Sequence, residues 1–355
     1  MTVYNFSAGP SALPSVVRQQ LREAILDARA GRPAVFELSH RGAAFAAVLE
    51  RAAADLRQLL ELGDEYHVLW MAGGATAQFS LLPMNLGVAG SYALTGHWAK
   101  KACEIAAFHG RPAIGCDGGP DYRRIPPPAE WHPAPDTGYR HITSNETIDG
   151  VQFHHPPPAA AGPLVVDASS DILSRPPVIG DFDLLYAGAQ KNLGIAGVTL
   201  VLIHERLLDR CRRDLPPVFS YRAQAAANSL VNTPPVLAIV TAQLVLAWLS
   251  AQGGLAAVGE NNRCKSEALY ALIDADEFYQ NRVAVADRSW MNVPFFIHDR
   301  RLEPVFLAAA EEAGLVGLAG HRATGGLRAS LYNAVGGEAL AALLELMAEF
   351  RRRYG

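Results

Sequence analysis

The feature that most narrows the fold is a unit repeated in the first half of the chain: a short apolar run, a break in small residues, then a segment with helical apolar spacing. Val68 to Met71 runs into Ala72-Gly-Gly-Ala-Thr76 and a helical stretch, and Tyr92 to Thr95 is followed by a helix over about His97 to Phe108. Continuous apolar runs suit strands buried on both faces. Strands alternating with helices predict a mostly parallel sheet with helices against it. Ahead of this unit, Pro14 and Ser15 open a helix with Val17, Leu21, Ile25 and Ala28 on one side and Gly31 as its stop. A second helix is expected from Ala43 to Leu62, with Phe45, Leu49, Ala52, Leu56 and Leu59 on one face and Gly63 as cap.

A proline-rich section over about Cys116 to Pro135 reads as irregular, and four short strands follow, at Arg140 to Thr143, Leu164 to Val166, Leu184 to Tyr186 and Thr199 to Ile203. Helices are expected over Pro235 to Ser250 and Leu255 to Ile273. The pattern then changes to a strand at Met291 to Ile297, a helix at Leu302 to Ala313, strands near Val316 and Leu327, and a last helix from Glu338. This implies an α/β protein: a large domain over 15–255 with a mostly parallel central sheet flanked by helices, and a small α+β domain from 1–14 and 256–355. The 355 residues are enough for both.

A net charge of −4 supplies no positive field to recruit nucleic acid or an anionic membrane. No apolar run reaches the roughly 18 residues of a membrane span, and the first residues lack a basic stretch followed by an apolar one. Cys103, Cys116, Cys211 and Cys264 have no metal-binding or disulfide spacing. A cytoplasmic protein without a metal is expected.

Among 31 basic residues only four are lysines: Lys100, Lys101, Lys191 and Lys265. A lysine kept where arginine otherwise serves invites a role that arginine cannot fill, such as imine formation. Lys191, in Ala187-Gly-Ala-Gln-Lys-Asn192, follows a buried strand within small residues. Desolvation there would release a neutral, nucleophilic amine; a surface lysine at a strand end is the plain alternative. Asp167 closes the run Leu164-Val-Val-Asp167, at the edge where parallel sheets bind ligands, although a turn or cap aspartate fits as well. Gly73-Gly-Ala-Thr76 can offer backbone N–H groups to a phosphate at a helix start. Trp98 suits either ring stacking or core packing. Arg41, Arg322 and Arg328 suit anionic substrates.

Eight segments in chain order complete the pattern: Asn5-Phe-Ser-Ala-Gly-Pro10, Ser39-His-Arg-Gly42, Asn145-Glu-Thr-Ile-Asp-Gly150, Ile172-Leu-Ser-Arg-Pro176, Tyr186-Ala-Gly-Ala-Gln-Lys-Asn192, Asn232-Thr-Pro-Pro235, Met291-Asn-Val-Pro-Phe295 and Gly326-Leu-Arg-Ala-Ser-Leu-Tyr-Asn333. Over the whole chain this set resembles the phosphoserine aminotransferase family, class-V enzymes of fold type I dependent on pyridoxal phosphate (PLP). The resemblance implies a homodimer that moves an amino group between O-phospho-L-serine or glutamate and the matching keto acids, 3-phosphohydroxypyruvate and 2-oxoglutarate. Serine biosynthesis, and in many bacteria pyridoxine biosynthesis, are the implied settings.

By the same resemblance Lys191 carries PLP as a Schiff base, Asp167 pairs with the pyridine nitrogen, and Trp98 stacks on the ring. Thr147 and Gln190 hydrogen-bond the cofactor, while Ala75 and Thr76 meet its phosphate together with Asn232 and Thr233 of the other subunit. Arg328 holds the substrate carboxylate. Ser7, His40, Arg41, His321 and Arg322 serve the substrate, Arg41 with His321 and Arg322 of the other subunit at its distal anion. Thr76 stands where many relatives carry arginine or cysteine. Rival readings are a serine–glyoxylate aminotransferase, a cysteine desulfurase, and a binding protein that kept the fold. A nicotinamide dehydrogenase lacks support because the glycine fingerprint is missing.

Overall fold

Seven strands form the central sheet, and their order explains why so many short polar segments meet at one edge. The structure is a computed structural model that describes residues 2–26, 33–132, 134 and 138–355. In chain order it begins with β1 (Tyr4–Asn5), α1 (Ser15–Leu26), α2 (Ala43–Leu60), β2 (Tyr66–Met71), α3 (Gly74–Leu86), β3 (Ser91–Leu94), α4 (His97–Ala106) and β4 (Ala113–Asp117). Next come β5 (Arg140–Thr143), β6 (Leu164–Asp167), β7 (Leu184–Gly188), β8 (Thr199–His204), α5 (Glu205–Leu208), α6 (Tyr221–Ala226), α7 (Val236–Ala251) and α8 (Gly254–Ile273). The chain finishes with β9 (Tyr279–Gln280), β10 (Asn292–Ile297), α9 (Glu303–Glu312), β11 (Leu315–Val316), β12 (Leu327–Ser330) and α10 (Gly337–Tyr354).

The large sheet has the order β2-β8-β7-β6-β5-β3-β4. Strands β3 to β7 run parallel, and β8 alone opposes both of its neighbours. The mostly parallel sheet expected from the alternation is therefore present. One face packs on α2 and α7 through Phe45, Leu56, Ile239 and Leu246; the other packs on α3 and α4 through Phe79, Leu82 and Ala102. A separate apolar core joins Phe6 to side chains between Leu269 and Phe350, around the sheet β12-β10-β9. Helix α8 spans both, with Leu255 and Val258 in the first core and Leu269 in the second.

Three local expectations need correction. Helix α2 stops at Leu60, and its cap is Glu61 in the left-handed region (φ 54°), not Gly63. Gly63 is instead followed by a close turn into β2, where Tyr66 N–H donates to its carbonyl at 3.4 Å. The section from Cys116 is not wholly irregular, since Cys116 and Asp117 end the edge strand β4, whose register against β3 shifts between Tyr92 and Ala93. A short, bulged edge strand carries little alternation for a reader to detect. The expected run of α1 to Ala28 and its Gly31 stop fall outside the described residues, as does Pro135. No single described helix is long and apolar enough to cross a membrane.

Candidate active site

The C-terminal ends of β7, β6, β5 and β3 lie side by side, with that of β2 one strand further across β8, and residues just beyond them line one cavity. From β2 the chain turns through Gly73 (φ 104°) and Gly74 (φ 69°) into α3. A side chain at Gly73 would meet Ala77 Cβ at 2.8 Å, whereas the space beside Gly74 is open. The first amides of a helix have no partner within it and carry its positive end. Ala75 and Thr76 in this turn line the cavity, so its upper end is built to receive an anion.

From β3 the chain enters α4, which brings Trp98 to the cavity wall. Its first turn is capped from outside. Glu146 Oε2 accepts the Trp98 N–H and Oε1 the Ala99 N–H, each at 2.9 Å. Asp149 accepts the His97 N–H at 2.8 Å and lies 2.7 Å from the His97 ring. Glu146 is 0% exposed, and burial, with Asp149 beside it, raises its pKa. The carboxyl comes so close that a Cβ on Gly96 would lie 2.3 Å from it. These caps tie Trp98 to the segment that carries Thr147.

Asp167 ends β6 at the cavity floor and accepts the Ser169 N–H at 2.9 Å. Its burial raises the carboxyl pKa, against hydrogen bonds from Ser169 and the attraction of Lys191. Lys191 follows β7, and its Nζ donates to Thr147 Oγ1 at 2.8 Å. The residue is half-buried because it lines the cavity. Desolvation pulls its pKa down to about 8, with Asp167 opposing and Arg328 assisting. The same amine stands 5.9 Å from the Trp98 ring centre. The N-terminal segment closes over it: Ser11 N–H donates to the Gln190 carbonyl at 2.9 Å, Ser11 Oγ bonds the Lys191 carbonyl, and a Cβ on Gly9 would meet Lys191 Cγ at 3.5 Å.

Arg328, on β12, donates to the Thr147 carbonyl at 3.2 Å. Near it His321 is half-buried, and its pKa is lowered first by burial and then by Arg328. Several buried polar atoms around the cavity have no partner: Trp98 Nε1, Thr143 Oγ1, Asn145 Oδ1 and Arg328 Nε. Orphaned groups of this kind mark a site shaped for a polar ligand. A flat aromatic ring with an anionic arm fits the surroundings, with the arm at α3, the ring under Trp98, Asp167 at one end and an amine within reach.

Of the residues expected from sequence, Ala75, Thr76, Trp98, Thr147, Asp167, Gln190 and Lys191 all line this cavity. Arg328 reaches it through Thr147. Ser7 lies in the N-terminal segment, its N–H bonded to Asn5 Oδ1 at 2.9 Å. Other expected residues are not brought to the cavity lining within this chain. His40 and Arg41 sit on the turn before α2, Arg322 is exposed, and Asn232 and Thr233 are exposed ahead of α7. Asn232 lines a separate, mainly apolar cleft with Gly73, Met84 and Phe219. Sequence reasoning missed Thr143, Asn145, Ser169 and Ser170 as lining residues, although short polar residues directly after a buried strand were a usable signal.

Residues 3–343 match the model of the class-V aminotransferases. The chain is 46% identical to the phosphoserine aminotransferase of Laribacter hongkongensis, with all of both chains covered. It superposes on the solved phosphoserine aminotransferase of Bacillus circulans subsp. alkalophilus with a TM-score of 0.96 at 42% identity, over 100% of this chain and 99% of that one. A PLP-bound phosphoserine aminotransferase from Trichomonas vaginalis gives 0.93 at 34% identity, over 98% and 100% of the two chains.

Proposed function

This chain belongs to the phosphoserine aminotransferases, PLP-dependent transaminases of class V, and on that premise we propose how its own residues share the work. The observation that carries the proposal is the meeting of the Lys191 amine, the Asp167 carboxylate and the start of α3 in one cavity beneath Trp98. PLP, when bound, supplies an electron sink that makes the bond to the substrate's α-hydrogen breakable.

Lys191 is the residue that bonds the cofactor. With a pKa near 8, a useful fraction of its amine is neutral around neutral pH. Once free, the same Nζ, steered by Thr147 Oγ1, takes the α-proton and returns it. Asp167 faces the pyridine nitrogen and favours its protonated form. The amides of Ala75 and Thr76, with the Thr76 hydroxyl, hold the phosphate, and Gln190 adds a hydrogen bond. The caps from Glu146 and Asp149 hold the start of α4, and with it Trp98, at the cavity wall against which the PLP ring would lie.

Arg328 holds the substrate α-carboxylate, with its unpartnered Nε available for the second bond of the pair. Ser7, His40, Arg41, His321 and Arg322 serve the substrate, and arginine with histidine suits both a phosphate and a carboxylate at its distal end. A homodimer completes the site, with Asn232 and Thr233 reaching the partner's phosphate. Two observations support this: both residues lie outside their own chain's cavity, and Val218 and Phe219 leave apolar surface exposed beside the Gly73 loop. The apolar core that joins Phe6 to side chains between Leu269 and Phe350, separate from the layers on the large sheet, supports a large domain over 15–255 and a small one from 1–14 and 256–355, with α8 bridging them. A cytoplasmic setting in serine biosynthesis follows from the reaction, and pyridoxine biosynthesis is a second use for the same chemistry. The direct test is a visible spectrum of the purified protein: it should be yellow, and phosphoserine should bleach it. A protein that stays colourless with added PLP would overturn the assignment.

A further inference from the structure

Behind the cavity, β5, β6 and β7 bring three polar side chains together in an otherwise apolar layer. Asp167 and Tyr186 are partners in register on adjacent parallel strands, so their side chains leave the same face of the sheet. The Tyr186 hydroxyl lies 2.8 Å from His141 Nε2, and both residues are 0% exposed. The His141 ring packs on Tyr92 with centroids 4.9 Å apart, and its Nδ1 has no partner.

The position of the protons follows from counting acceptors. With hydrogen on Nε2, the imidazole donates to the Tyr186 oxygen, and the hydroxyl hydrogen is free to turn towards Asp167. Both hydrogens are then used, and only an acceptor nitrogen is left bare. With hydrogen on Nδ1, an N–H is buried without an acceptor and the hydroxyl hydrogen is spent on Nε2. Orphaned buried N–H groups are the rarer outcome in proteins. Burial keeps the imidazole neutral, its pKa lowered to about 3. Tyr186 accordingly acts on Asp167 as a donor that lowers the carboxyl pKa, opposing the rise caused by burial.

We propose that His141 and Tyr186 form a donor relay that keeps Asp167 ionised, and are positioning residues for the pyridine-nitrogen end of the site. This rests on the Asp167 reading above. The relay has a specific task. Lys191 is the cation beside Asp167, and its charge is lost whenever the amine is neutral or bonded. Glu146 and Asp171 are nearby acids whose protonation Asp167 favours, and Ser169 is the other donor that, with Tyr186, holds the Asp167 carboxyl down. A fixed hydroxyl donor does not change with the state of Lys191.

The test is PLP affinity of the full-length, cofactor-free protein, measured by titration from mildly acidic to mildly alkaline pH. An ionised Asp167 is needed for tight binding, so affinity falls on the acid side. In Tyr186→Phe the carboxyl loses a donor, and the acid limb should move to higher pH by about one unit, a roughly tenfold loss of affinity at mildly acidic pH. The alkaline limb should change less. His141→Leu should move the limb the same way by less, and His141→Gln, which retains an N–H donor, should restore it. This second pair carries the test if Tyr186→Phe does not fold. An unmoved limb, or an equal loss at every pH, overturns the relay and leaves Tyr186 a packing residue. Asp167→Asn separates the two readings. If it binds PLP as tightly as the parent, the Asp167 reading falls and the relay with it. If it binds weakly beside an unmoved Tyr186→Phe limb, only the relay falls.

Discussion

Lys191 and Lys265 are both withdrawn from water, and burial lowers both pKa values, to about 8 and about 7. Their surroundings nevertheless differ in kind. Lys265, on α8, is 3% exposed and donates to three backbone carbonyls, of Leu331 and Tyr332 at 3.0 Å and of Val335 at 2.9 Å. All its hydrogens are committed, and the amine has no open space in which to meet a carbon atom. Lys191 has a single side-chain oxygen as partner and faces a cavity with a carboxylate at its floor. A perturbed amine is therefore not in itself a reactive one. It must also have room and a complementary group across that room. Both cases explain why lysine persists in a chain that otherwise uses arginine: a planar fork can neither form an imine nor match three carbonyls around one tetrahedral nitrogen.

The comparison breaks most visibly at Lys191. Lys191→Ala should lose transamination by on the order of 10⁴-fold or more and lose the visible absorbance; a borohydride-reducible adduct persisting in that variant would break the assignment. Lys265→Met should do the opposite, keeping the visible band while leaving three carbonyls unpaired. Its unfolding free energy should fall by about 3 kcal/mol, read by thermal or urea unfolding. A stable Lys265→Met protein that cannot hold PLP would erase the contrast between the two lysines.

Alkaline pH sharpens the same point. Lys191 has a lower pKa in the folded protein than the ordinary 10.5. Below about 8 the folded state bears the full penalty of a buried ammonium, and above 10.5 neither state is charged. Stability of the cofactor-free protein, relative to Lys191→Met, should therefore rise as pH increases through this window, by up to about 3 kcal/mol. Unfolding curves for both proteins at several pH values measure it, and a flat difference would mean that the amine is hydrated. The smallest expected effect is at the cavity's edge. Arg328→Lys replaces a fork by a point charge and should raise the Michaelis constants for phosphoserine and glutamate about tenfold. Unchanged constants would remove Arg328 from the substrate site.

Much of this site could be read from local order, because a residue that directly follows a buried strand has few places to go. Asp167 after Val166, Lys191 after the small residues that close β7, and Thr76 in the first turn of α3 are all of this type. Glu146 was not legible, since a glutamate in a loop usually faces water. Its burial depends on α4 arriving from residues about 50 positions earlier to offer two amides. Lys265 was hidden likewise, because its three carbonyls lie some 70 positions away.

The sequence alone determined most of the longer strands and helices, that the sheet would be mostly parallel, and that an amine and a carboxylate would stand at strand ends, because periodicity and strand-end position are local properties. Only the tertiary structure decided that β8 runs against its neighbours, that Tyr186 on β7 reaches His141 on β5, and that Lys265 is caged while Lys191 is free. Direction, desolvation and hydrogen-bond partners all depend on which distant segments arrive at a point. No run of neighbouring residues encodes that.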